Sequence, residues 1–220
     1  MRESLNLRYG AAAIAVAAIL IALAPCRAFA FDPDPVFTRY AMEISAESAL
    51  TRFGPRLNDR NNIVQAWNLT ARFSLLPFGI TRSRFLDGAF DGAVELGVGP
   101  TFERFETQGQ NFAGLGFGIR YYLLHFRLGP FVPWVDASIA PGGSDLNIGR
   151  VGNGTRLTGP FLALIQGGAG LSYFVTERNA IYFGIQAQHV SNGSLNGGSN
   201  KNFSLNTPEG IVIGTAWFLP

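Results

Sequence analysis

Alternation of apolar and polar residues with a period of two recurs along most of this 220-residue chain, and it constrains the fold more than any other feature. Trp67, Leu69, Ala71, Phe73 and Leu75 alternate with Ala66, Asn68, Thr70, Arg72 and Ser74. A strand made of them has one greasy and one polar face. Phe90, Gly92, Val94, Leu96 and Val98 alternate with Asp91, Ala93, Glu95, Gly97 and Gly99, which sorts both carboxylates to one side. The same period runs through Ala113–Leu123, with Gly114, Gly116, Gly118 and Arg120 on the second face. Eight such segments are expected: about Thr38 to Leu50, Ile63 to Leu75, Ala89 to Thr101, Phe112 to Leu123, Phe131 to Ala140, Phe161 to Val175, Ala180 to Ser191, and Glu209 to Leu219.

Hydrophobic residues make up 47% of the chain, yet beyond the first thirty residues no run of 18 is wholly apolar, so spanning helices are excluded. Strands are not. Each segment suffices to cross a bilayer at a tilt, which takes about 9 to 11 residues. Short connections (Leu124 to Pro130, Thr176 to Asn179) contrast with long ones rich in Gly, Asn, Pro and Ser (Thr51 to Asn62, Pro141 to Pro160, Asn192 to Pro208). Short turns at one end and long loops at the other are the habit of outer-membrane barrels. The connection Leu76 to Gly88 breaks that rule, and the sequence gives no reason for it.

A sandwich or a lipocalin-like soluble barrel would also use eight alternating strands, with the apolar face turned inward. Alternation does not tell inside from outside. Polar faces built from Gly, Ser, Thr and Asn, a single lysine (Lys201) and aromatic residues near strand ends favour the membrane form. Those aromatics are Tyr40, Trp67, Phe102, Tyr121, Tyr122, Phe131, Trp134, Tyr173, Phe174, Trp217 and Phe218, expected as interfacial girdles. The fold class expected is therefore all-β, an eight-stranded antiparallel transmembrane β-barrel. Asp91 and Glu95 share the polar face with Arg72 and Arg120, which predicts a structural charge network across the bore rather than an acid/base pair. The glycines of Gly114-x-Gly116-x-Gly118 and Gly167-Gly168-x-Gly170 are expected to make room for bulky lumen side chains. No helix signal follows either run, so neither is a phosphate cradle.

Residues 1–30 read as a cleaved export signal: Arg2 and Arg8 precede an apolar run from Gly10 to Ala24, and Ala28-Phe29-Ala30 is a small-x-small cleavage pattern. The expected mature domain is 31–220. An apolar run of about 15 residues is short for a membrane anchor, and Pro25 before Cys26 spoils a lipobox. Cys26 is the only cysteine, so the mature chain would hold neither a disulfide nor a thiol metal site. Setting aside three arginines and one glutamate of the signal leaves equal numbers of basic and acidic residues, with no basic stripe for nucleic acid.

Chemistry is concentrated in Gln188-His189-Val190-Ser191-Asn192-Gly193, at the end of the seventh segment. Residues two apart on a strand share a face about 6.6 Å apart, so an imidazole can reach a serine hydroxyl. Counting back by twos from Ser191 meets His189, Ala187, Ile185, Phe183 and Ile181, the apolar side; Tyr182, Gly184, Gln186 and Gln188 fall on the other. A single bulge in the strand would reverse that parity. Glu209 opens the eighth segment, in series with Ile211, Ile213, Thr215, Trp217 and Leu219. Adjacent antiparallel strands bring the end of the seventh and the start of the eighth to one rim. A carboxylate there can orient an imidazole, as in a serine hydrolase relay. With both termini in the periplasm, this rim faces outward from the cell, where the substrate at hand is an outer-leaflet lipid. Taken without context, a His-x-Ser pair at a strand end is more commonly a polar rim that satisfies loop hydrogen bonds. His125 lies in a short turn and is expected to be solvated.

His189-Val190-Ser191-Asn192, an Asn/Gly-rich loop, Asn206-Thr207-Pro208-Glu209 and a last strand ending Ala216-Trp217-Phe218 resemble the lipid A 3-O-deacylases (PagL type), also called acyloxyacyl hydrolases. The likeness weakens upstream through Pro130-Phe131-Val132-Pro133-Trp134-Val135 to about Ala89. It implies an outer-membrane enzyme that hydrolyses the ester-linked 3-hydroxyacyl chain at position 3 of lipid A, with no metal and no cofactor. By this resemblance Ser191 is the nucleophile, His189 the general base and Glu209 the residue orienting it, while Asn192 and the Gly193 amide hold the oxyanion. Ile185, Ile211, Ile213 and Trp217 would track the acyl chain. The implied partners are lipopolysaccharide and the surrounding lipid, and the reading allows a homodimer. The loop from Asn192 to Glu209 is longer than the family usually has, which loosens the alignment of Glu209. The rival class is a non-catalytic structural or adhesion barrel; a small porin is disfavoured because side chains fill an eight-stranded bore.

Overall fold

The computed structural model describes residues 31–53, 64–83, 87–104, 107–110, 112–144, 147–151, 155–158, 161–191, 204–207 and 209–220. The expected signal (1–30) and the loop residues Asn192 and Gly193 lie outside these. Eight long strands carry the fold: β1 Met42–Phe53, β2 Val64–Leu75, β3 Gly88–Arg104, β4 Phe112–Tyr122, β5 Phe131–Ser144, β6 Phe161–Phe174, β7 Asn179–Ser191 and β8 Glu209–Leu219. Each pairs antiparallel with the next, and β8 returns to β1 in continuous register from Met42↔Leu219 to Arg52↔Glu209. The sheet therefore closes into a barrel, which leaves no edge among these strands.

The two faces of that barrel decide between the membrane and soluble readings. Leu96, Leu115, Phe117, Ile185 and Ile211 are more than half exposed on the outside, whereas Glu43, Asp91 and Arg120 are fully buried in the bore. An apolar wall around a charged interior suits a barrel whose exterior solvent is lipid. Inside, Arg72 pairs with Glu95 at 3.2 Å and with Asp136 at 3.3 Å, and Arg120 pairs with Asp136 at 2.9 Å and Glu47 at 3.4 Å. Arg120 also lies between the rings of Trp134 and Tyr182, at 4.6 and 4.5 Å. Asp91 takes a 2.9 Å hydrogen bond from the Ser74 hydroxyl. This is the structural network read from the alternation, enlarged by Glu43, Glu47 and Asp136. Glycines make it fit: a Cβ on Gly184 would stand 2.9 Å from the Trp134 ring.

Four aromatics expected in girdles are instead interior. Tyr122, Trp134, Phe174 and Phe218 are at most 2% exposed, because each shares its strand parity with bore-facing neighbours. Tyr40, Trp67, Phe131 and Trp217 do lie on the outside.

The end bearing the short connections is stoppered by the segment that precedes β1. Val36 and Phe37 amides both donate to the Pro33 carbonyl (3.1 and 2.9 Å), which coils the chain into a tight turn. Tyr40 at φ 67° then redirects it into β1. That turn is why β1 starts at Met42 and not at Thr38. Phe31 stacks on Phe174 with centroids 4.0 Å apart, and Phe37 sits against Tyr122, Phe174 and Phe218. The long connection after β2 belongs to the same stopper. Its Ile80–Thr81 strand pairs with Gly88 and Ala89, Gly79 turns at φ +64° against the Arg39 amide, and Arg82 meets Asp34 at 2.7 Å. A connection that braces the stopper cannot be as short as one that only reverses a hairpin.

Candidate active site

β7 crosses the barrel without a register shift between Ala180 and Ser191, so its alternation is uninterrupted. Gln186, Gln188 and Val190 are buried in the bore, while Phe183, Ile185 and Ala187 are exposed on the wall. His189 and Ser191, partly exposed, follow the wall series. Their register partners on β6 are Ile165 and Ala163. An imidazole and a hydroxyl thus belong to the lipid side, at the end of the barrel where the long connections lie.

Behind them, a chain of side-chain hydrogen bonds crosses three strands inside the bore. The Thr51 hydroxyl donates to Gln188 Oε1 (3.2 Å), Gln188 Nε2 to Gln186 Oε1 (2.8 Å), and Gln186 Nε2 to Gln166 Oε1 (2.7 Å). It ties β1, β7 and β6 together directly behind His189 and Ser191. A buried and satisfied amide network of this kind fixes a backbone more firmly than apolar packing alone. Alternation put Gln186 and Gln188 inside, but their linkage to Thr51 and Gln166 is a property of the tertiary register.

Glu209 is the first residue of β8, with Arg52 of β1 as its register partner. Before it, the short strand Ser204–Thr207 pairs with β7, placing Asn206 opposite His189 and Ser204 opposite Ser191. In the sequence, Asn206 stands only as part of the Asn206-Thr207-Pro208-Glu209 motif. Asn192 and Gly193, the expected oxyanion pair, fall outside the described residues. No group of metal-ligating side chains occurs among the described residues. His125 is exposed on its turn, edge-on to Phe126.

A closed meander of eight strands, charged within and apolar without, is an outer-membrane type of β-barrel. Residues 113–210 match the family model of lipid A 3-O-deacylase (PagL), and that stretch contains His189, Ser191, Asn192, Gly193, Asn206 and Glu209. Among solved structures, the outer membrane enzyme PagL is similar in fold, with 15% identity, a TM-score of 0.52, and coverage of 78% of this chain and 97% of that one. Neisserial surface protein A (NspA) is similar too, with 13% identity, a TM-score of 0.50, and coverage of 80% and 97%. No curated protein matches the chain in sequence.

Proposed function

We propose that this protein is an outer-membrane esterase that removes the ester-linked 3-hydroxyacyl chain at position 3 of lipid A, working at the lipid-facing rim of its barrel. One observation carries the reading: within a stretch matching the PagL family, a histidine and a serine two residues apart lie on the outer wall, where lipid is the solvent. Residues 1–30 would direct export and be removed.

Ser191 Oγ attacks the ester carbonyl while His189 takes its proton; the tetrahedral oxyanion is held by Asn192 and the Gly193 amide. Collapse releases the sugar hydroxyl, protonated by the imidazolium, and leaves an acyl-serine. Water, deprotonated by His189, then frees the hydroxy fatty acid and restores Ser191. Glu209, at the same rim, is assigned to orient the imidazole and stabilise its charged form. Ile185 and Ile211, exposed and paired across β7 and β8, offer an apolar track for the acyl chain. No metal or cofactor takes part in this scheme.

The test is to express the protein in a bacterium with ordinary lipid A and weigh the lipid by mass spectrometry. Loss of one hydroxyacyl chain is expected, abolished in Ser191→Ala and His189→Ala. Unaltered lipid beside a correctly inserted barrel would favour a structural or adhesion role instead.

A further inference from the structure

We infer that Gln188 is a positioning residue for the candidate active site: held inside the bore by Thr51 and Gln186, it acts through the β7 backbone to keep His189 and Ser191 at working separation. The inference rests on the assignment of His189 and Ser191 as base and nucleophile, and adds to it a residue that touches neither the substrate nor the reacting atoms.

The need for such a residue lies in the strand pairing. On one side, β7 is laddered to β6 without interruption from Phe174↔Ala180 to Ala163↔Ser191. On the other, the β7–β8 ladder stops at Ile185↔Ile211, and pairing resumes at Gln188↔Thr207. That is three steps along β7 and four along the opposite chain, so one extra residue is accommodated there and the ladder breaks just before His189. Main-chain pairing alone ties the root of the His189–Ser191 segment firmly from one side only.

The amide line spans that break. Gln186 and Gln188, both buried, stand at it. Gln188 accepts a hydrogen bond from the Thr51 hydroxyl of β1 at 3.2 Å and donates one to Gln186 at 2.8 Å; Gln186 in turn donates to Gln166 of β6 at 2.7 Å. Strands β1 and β7 are not neighbours, because β8 runs between them. Thr51 reaches across because its register partner on β8 is Gly210. A Cβ there would stand 2.6 Å from Thr51 Cγ2 and 2.5 Å from the Gln186 carbonyl oxygen. The missing side chain lets one strand hold the next but one.

Parity carries this hold to the wall. Successive residues of a strand face opposite sides, so Gln188 points inward while His189, joined to it by one peptide bond, follows the outer series. Any slide or rotation of the strand that displaces His189 must drag the Gln188 amide away from its partners. Buried amides stripped of partners are costly, which opposes the displacement. The alignment matters because Cα atoms two apart stand about 6.6 Å from each other, whereas proton transfer needs heavy atoms within about 2.6–3.2 Å. Small errors in the backbone are therefore large errors for the pair.

The experiment uses the full-length barrel, folded in detergent micelles with lipid A bearing an ester-linked 3-hydroxyacyl chain. It measures kcat and KM separately, thermal unfolding, and hydrogen exchange of the backbone amides at 189–191. Gln188→Met, equal in length but without hydrogen bonds, is expected to lower kcat by roughly 10- to 100-fold with KM unchanged, and to speed exchange at 189–191 relative to β2. Thr51→Val, which keeps the shape and removes the donor, should act in the same direction by about threefold or more. Changing Gln166, Gln186 and Gln188 together to Met leaves no amide in the line unsatisfied, so thermal stability should return while kcat stays low. Phe37→Ala, at the opposite end, should leave kcat within about twofold despite its loss of stability.

The inference is overturned if folded Gln188→Met stays within twofold of wild type in kcat, whatever its exchange. It is also overturned if the triple variant regains kcat together with stability, since the amide line would then be a stabiliser and nothing more. Retention of the wild-type rate by Ser191→Ala would instead overturn the underlying assignment, and the exchange difference alone would then decide whether Gln188 holds that segment of β7.

Discussion

The two ends of this barrel are built on opposite plans. At the short-turn end, Phe31, Phe37, Tyr122, Phe174 and Phe218 pack ring against ring, and the chain before β1 folds inward to complete the plug. At the long-loop end, the interior is a line of amides, and His189 and Ser191 are turned out to the wall. One end is closed by apolar packing, which tolerates little loss of volume. The other is organised by register and hydrogen bonds, which tolerate little loss of alignment. Stability and chemistry should therefore respond to different substitutions.

The largest separation is expected from Ser191→Ala: deacylation measured by mass spectrometry should fall by on the order of 10,000-fold or more, while thermal unfolding of the barrel is unchanged. Phe37→Ala is its mirror image. It empties the centre of the plug and should cost about 3–5 kcal/mol of stability, with activity per folded molecule preserved. Equal damage to activity and stability from this variant would erase the distinction between the ends. Gln188→Leu should land between them, because it strands the Gln186 carbonyl without a donor, at about 1–3 kcal/mol. It is the interior substitution most expected to slow catalysis, since it loosens the backbone that carries His189. Arg82→Ala should matter least: its pair with Asp34 is well exposed, and denaturation should shift by less than about 1 kcal/mol.

The ends also differ in how plainly the sequence announces them. Strand positions were readable wherever alternation was strict, so β7 and β8 begin and end within a residue of expectation. Parity likewise placed His189 with Ile185 and Gln188 with Tyr182, since no bulge intervenes in β7. The aromatic stopper was not readable. Phe31 and Phe37 belong to no alternating series, and their burial depends on a turn anchored at the Pro33 carbonyl. Nearness to a strand end points Tyr122 and Phe218 to a girdle, but parity overrides it: Tyr122 shares the face of Arg120 and is buried with it. The excess length of the connection after β2 makes sense only beside the stopper it braces. At the rim, the pairing of Asn206 with His189 lay hidden for a related reason: a one-residue change of register within a long connection leaves no trace in composition or periodicity.

On the proposed function, the outward placement of His189 and Ser191 has a kinetic consequence. A catalyst whose working groups face the leaflet meets its substrate by lateral diffusion in two dimensions, so the concentration it experiences is a mole fraction of lipid and not an amount per volume. Diluting the membrane with inert lipid should slow turnover, while diluting the whole suspension with buffer should not.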